Sequence, residues 1–141
     1  MIVKCINNTG RILIDNKIKP HGIFPESIFG ELDVGKEYLV MGMVLKDGIL
    51  YYLVNGGRVI SIIPNQLFEV VDNIIPDNWF FKSFTKDMIK IVNMEAIWGY
   101  YEFVEDIEHY TKLMLMDEEA HRLYFRRKIE LEDKLNLNKT L

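Results

Sequence analysis

The chain has 141 residues, 49% of them hydrophobic and 27% charged, with a formal net charge of −4 and a pI near 5.4. That is enough apolar material for one cored unit, and the acidity argues against a general nucleic-acid binder, which needs a basic face against phosphate. A single cysteine, Cys5, excludes an intrachain disulfide and fits a reducing compartment; MIVKCINNTGR carries no secretory pattern and no apolar run spans a bilayer. The expected location is the cytoplasm, with no membrane contact.

In chain order, Val3–Ile6 and Arg11–Ile14 are short branched runs bounded by Asn, Thr and Gly, and both read as strands. Val34–Leu45 is apolar on both faces. Val34, Tyr38, Val40, Gly42 and Val44 share one parity, and Leu39, Met41, Met43 and Leu45 the other. Such a strand is buried on both sides or curls around a core. Asp47–Gly48 predicts a hairpin turn with Gly48 at positive φ, and Gly35 a further turn. ILYYLV, a second turn at Asn55–Gly56–Gly57, and RVISII complete a three-stranded meander. Pro64–Asn65–Gln66 breaks the ladder, and Leu67–Val71 predicts another strand. Short strands with tight turns in this density suggest a small antiparallel barrel.

Gly35, Lys36 and Tyr38 opening a strand, with Pro64 leading a single turn and Phe68 in the last strand, resemble a pattern in small bacterial cytosolic proteins of unassigned function. The resemblance covers residues 1–72 and implies a Src-homology-3-like barrel. The segment from Ile18 to Glu31, with Pro20 and Pro25, departs from it.

Ile75–Pro76–Asp77–Asn78 marks a boundary. Beyond it the signals conflict: Met88, Ile89, Val92, Ala96 and Ile97 can line a helix, whereas Ile97–Val104 is aromatic and reads as strand or irregular structure. Asp106–Leu115 has a helical pattern, and Asp117 is placed to cap a last helix running to about Leu135. The expected fold class is therefore α+β: a barrel at 1–72, a linker and mixed aromatic segment at 73–104, and a helical part with about two helices at 105–141, forming one compact unit.

EDIEHYTKLMLMDEEAHRLYF holds two acid–histidine pairs at the same spacing, Glu105 with His109 and Asp117 with His121. Residues four apart share a helix face, so four metal ligands are conceivable. The expected capping role of Asp117 uses its oxygen, and a solvated surface is the simpler reading. Cys5 lies in a strand-like run, where a buried thiol is the ordinary outcome. Asn55–Gly56–Gly57–Arg58 is a plain hairpin turn before it is a phosphate loop. RLYFRRK, the one basic cluster, is flanked by Glu118, Glu119, Glu130, Glu132 and Asp133. No catalytic group, no cofactor and no metal are expected.

Two aromatic clusters, Trp79–Phe80–Phe81 and Trp98–Gly99–Tyr100–Tyr101, cannot turn every ring into one core, because neighbours on a strand alternate faces. In the last helix Ala120, Leu123, Tyr124, Leu131 and Leu135 form one stripe for docking. Phe125 and Ile129 fall almost opposite, among Glu118, Arg122, Glu132 and Asn136. Phe125, Ile129, Arg122, Trp98 and Tyr101 are thus the expected contacts for a protein partner or a second copy. The leading expectation is a non-enzymatic protein-binding module, one form of which has a class-level likeness to toxin-immunity proteins. The alternative is an RNA- or nucleotide-binding barrel using Lys36 and Arg58, and a third is a small enzyme or metal protein around Glu105, His109 and His121.

Overall fold

The two-sided apolarity of Tyr38–Val44 has a simple origin: this part of the chain crosses from one sheet to another and lies between two cores, whereas Val34–Glu37 before it are exposed. The computed structural model describes residues 1–20 and 22–140. The strands are β1 (Ile2–Cys5), β2 (Glu37–Leu39), β3 (Gly42–Lys46), β4 (Ile49–Gly56), β5 (Val59–Pro64), β6 (Phe68–Asp72), β7 (Phe80–Ser83) and β8 (Ala96–Gly99). The helices are α1 (Arg11–Asp15), α2 (Lys86–Val92), α3 (Tyr101–Glu105), α4 (Ile107–Met114) and α5 (Glu118–Thr140), with a 3-10 turn at Asn65–Leu67.

The chain is α+β, as expected, with two antiparallel sheets. One has the order β2-β1-β6 and the other β5-β4-β3-β8-β7. The expected barrel is corrected here: neither sheet closes on itself. β2 pairs with β1, and after Val40–Met41 the chain resumes as β3 in the second sheet. There β8 occupies the edge of β3 opposite β4, with Gly42 facing Gly99 and Val44 facing Ile97. That pairing joins residues on both sides of position 72 in one sheet.

The break at Val40–Met41 divides the core. Val40 packs with Val3, Tyr38, Met43, Tyr52, Val54 and Ile63 between the two sheets. Met41 packs with Val44, Leu53, Ile97, Phe103 and Tyr124 between the larger sheet and the helices. The five-stranded sheet is therefore the middle layer, with both faces covered.

The meander and its first turn fall where the sequence puts them, with Asp47 at φ 51° and Gly48 at φ 73°. The second turn, expected at Asn55–Gly56–Gly57, closes at Gly57–Arg58, and Asn55 and Gly56 pair with Ile60 and Val59. Arg11–Ile14, expected as a strand, is instead α1: Leu13 is buried, and the Asn16 side chain donates to the Ile12 carbonyl at 2.7 Å. The ambiguous 79–104 segment resolves at Asn93, whose left-handed backbone (φ 57°) ends α2 and releases β8. The helices expected from Asp106 and from Asp117 are α4 and α5, and the short α3 precedes them in the mixed segment.

Candidate protein-binding surface

Asp117 caps α5, its Oδ2 accepting from the Ala120 N–H at 3.1 Å, and Glu118 and Glu119 occupy the first turn, where the helix dipole favours acids. Ala120, Tyr124 and Leu131 are buried against the body. The Tyr124 hydroxyl donates to Asn55 Oδ1 at 3.0 Å, and Lys128 Nζ donates to the same oxygen at 2.6 Å. Burial holds the Tyr124 phenol well above its ordinary pKa and pulls the Lys128 ammonium below its own. Arg127 forks onto Glu102 at 2.6 and 3.3 Å and also bonds Glu130, so α5 is clamped to α3.

This docking fixes which residues remain outside. Ile129 is 60% exposed. Phe125 is half-buried, its ring edge-on to Tyr124 at 5.1 Å. With Arg122, Arg126 and His121 they line a shallow groove of about 700 Å³ that Arg58, from the β4–β5 turn, borders on its far side. Arg122 is paired to Glu118 at 2.6 Å on the surface. Three of the expected contact residues, Arg122, Phe125 and Ile129, thus share one concave face. His121 and Arg58 complete that face. Neither was assigned to it in the sequence reading, because one lies on the flank of the helix and the other more than sixty residues upstream.

Trp98 and Tyr101 belong to a different patch. Trp98 is half-buried and stacks with Phe81 at 5.1 Å, and Tyr101 stands edge-on to Phe80 at 5.2 Å. Phe80 and Phe81 lie on β7, an outer strand of the larger sheet.

The acid–histidine pairs do not behave as pairs. His109 is 6% exposed, which overturns the solvated-surface reading for that residue. Its Nε2 lies 2.7 Å from the Tyr100 hydroxyl. Burial depresses the imidazole pKa and pushes the Tyr100 phenol up, so burial favours the neutral form of both, and the imidazole tautomer decides which of them donates. Glu105 turns instead to Lys82 at 2.9 Å, and Asp106, not Glu105, caps α4. His121 has a buried Nε2 with no hydrogen-bond partner among the described residues. No group of three or more His, Cys, Asp or Glu side chains among the described residues could hold a metal ion. Cys5 is buried, its thiol donating to the Asn7 carbonyl at 3.3 Å, and desolvation raises its pKa. Lys36 lies over the Tyr38 ring, 5.6 Å from its centre. No helix among the described residues is long and apolar enough to cross a membrane.

Comparison with known proteins matches no family model, no curated protein and no solved structure.

Proposed function

We propose that the chain is a non-enzymatic, cytoplasmic protein-binding module whose contact surface is the outer face of α5. The observation that carries this reading is Ile129, exposed beside Phe125 in a groove rimmed by Arg58, Arg122 and Arg126, on a helix already docked by its other face. An apolar pair inside a charged rim is the composition of a small anchor site. The catalytic candidates are engaged otherwise: Cys5 is buried with its thiol form favoured, and His109 is locked to Tyr100.

The passage from β2 in one sheet to β3 in the other and the 3-10 turn before β6 are in keeping with the Src-homology-3-like pattern, without its closed barrel. The immunity-protein form, in which an acidic inhibitor meets a basic toxin, draws no support from this groove. Its rim is basic, so it suits an acidic partner surface. RNA binding remains the second reading, on the strength of the same three arginines beside an accessible ring. A capture experiment separates them. The wild type should retain a protein that Ile129→Asp does not, at equal melting temperature. Retention that disappears on nuclease treatment and falls steeply with salt would favour RNA instead.

A further inference from the structure

Along the outer side of α5, Glu118, Arg122, Phe125, Ile129, Glu132 and Asn136 follow one another in alternating steps of four and three, with the exposed Glu119, Arg126, Glu130, Asp133 and Lys134 beside them. That is the spacing of a coiled-coil seam. The seam is apolar in the middle, with Arg122 before the apolar pair and Glu132 equally far beyond it. Two of the grooves along the helix, those beside this seam, carry the same asymmetry, while a third, on the α4 side of the first turns, is acidic through Asp106, Glu108, Asp117 and Glu119. Beside the N-terminal half, Arg58, Arg122 and Arg126 outnumber Glu118. Beside the C-terminal half, in a groove of about 280 Å³, Glu37 and Glu132 outnumber Lys128. Neither Glu132 nor Arg126 makes a salt bridge among the described residues.

A surface with an apolar centre and ends of opposite charge complements itself when turned end for end. We therefore propose that the partner is a second copy of this chain, with the two α5 helices packed antiparallel about a two-fold axis passing near Arg127, midway between Phe125 and Ile129. This rests on the reading of the outer face of α5 as a protein-binding surface, and it names the occupant. In that register each Phe125 lies against Ile129 of the second copy, and each Arg122 meets Glu132. The contact is isologous, so every pairing occurs twice. The basic groove of each copy receives the acidic half of the other helix. A parallel arrangement would instead place Arg122 on Arg122 and Glu132 on Glu132, which like-charge repulsion opposes. Arg126 flanks the axis beside its own copy and Glu119 comes near Asp133 of the second copy; these like-charged side chains are all exposed and can turn to solvent.

Charge exchange tests the register. Arg122 and Glu132 are both exposed, so their replacement leaves the fold intact, which a thermal melt by circular dichroism verifies. In sedimentation velocity the wild type should show a coefficient that rises with concentration. Arg122→Glu alone and Glu132→Arg alone should each weaken association by about tenfold or more, because each sets like charges opposite one another twice. The double exchange, Arg122→Glu with Glu132→Arg, should restore most of the lost affinity. Single variants that associate like the wild type, or a double variant no better than the singles, would overturn the proposal. A wild type that stays monomeric at every concentration would also overturn it. The protein-binding reading then stands or falls separately, on whether Ile129→Asp abolishes capture of a different protein.

Discussion

His109 carries a titration that is coupled to folding. Desolvation lowers its pKa below the ordinary 6.5, against the pull of Asp106 and Glu102. The unfolded chain takes up this proton more readily than the folded one. Stability from this residue is therefore complete above about pH 6.5 and falls as the pH drops below it. Denaturation midpoints measured between about pH 7 and 5 should fall more steeply for the wild type than for His109→Gln, which has no proton to take up. Parallel slopes would show that burial does not hold the imidazole neutral. At the outer face, the two apolar residues are expected to differ. Ile129→Ser should change stability by less than about 0.5 kcal/mol, because the side chain is mostly in water already. Phe125→Ser should cost about 1–2 kcal/mol, because half of its ring packs on Tyr124 and the core. Chemical denaturation of both variants checks this.

Among the elements, the hairpins were the most legible, because their turn chemistry is local. Asp47 and Gly48 both take positive φ, and Gly48→Val should cost roughly 1 kcal/mol or more, with an unchanged denaturation midpoint counting against the turn. The cap at Asp117 and the two apolar faces of α5 were legible for the same reason, since capping and periodicity are read within one helix. The pairing of β3 with β8 was not. Its two halves stand more than fifty residues apart, and its decisive feature is a close approach between backbones. A Cβ on Gly42 would meet the Phe103 ring at 2.7 Å and the Trp98 carbonyl oxygen at 2.8 Å. Gly42→Ala should accordingly destabilise by about 2 kcal/mol through overpacking, a cost that chemical denaturation measures directly. The strand reading of Arg11–Ile14 failed because RILID is branched enough for either state, and the packing of Leu13 decides it. His109 was misread as surface because an acid four residues away suggests a solvated pair, whereas its actual partner, Tyr100, precedes α3.

For the whole molecule, the middle sheet ties everything together. Alternate residues of β3 and β4 point into the two cores: Val44, Tyr51 and Leu53 toward the helices, Met43, Tyr52 and Val54 toward the smaller sheet. Residues 1–72 alone would retain β3 but lose β8 and every element that covers the helical face. That fragment should not unfold cooperatively by circular dichroism, while the full chain should show coincident transitions by circular dichroism and tryptophan fluorescence. The same architecture explains why α5 presents a second apolar face at all. Tyr124, Lys128 and Arg127 fix its inner side to Asn55 and Glu102, so Ile129 is left facing away from the body and Phe125 is only half covered by it. The most direct measurement of that claim is sedimentation velocity of the wild type and Ile129→Asp across a range of concentrations, with melting temperatures in parallel. The account predicts a wild-type coefficient that rises with concentration, a constant monomeric value for Ile129→Asp, and equal melting temperatures. Identical sedimentation of the two proteins at every concentration, with no protein captured by the wild type that Ile129→Asp fails to hold, would contradict it.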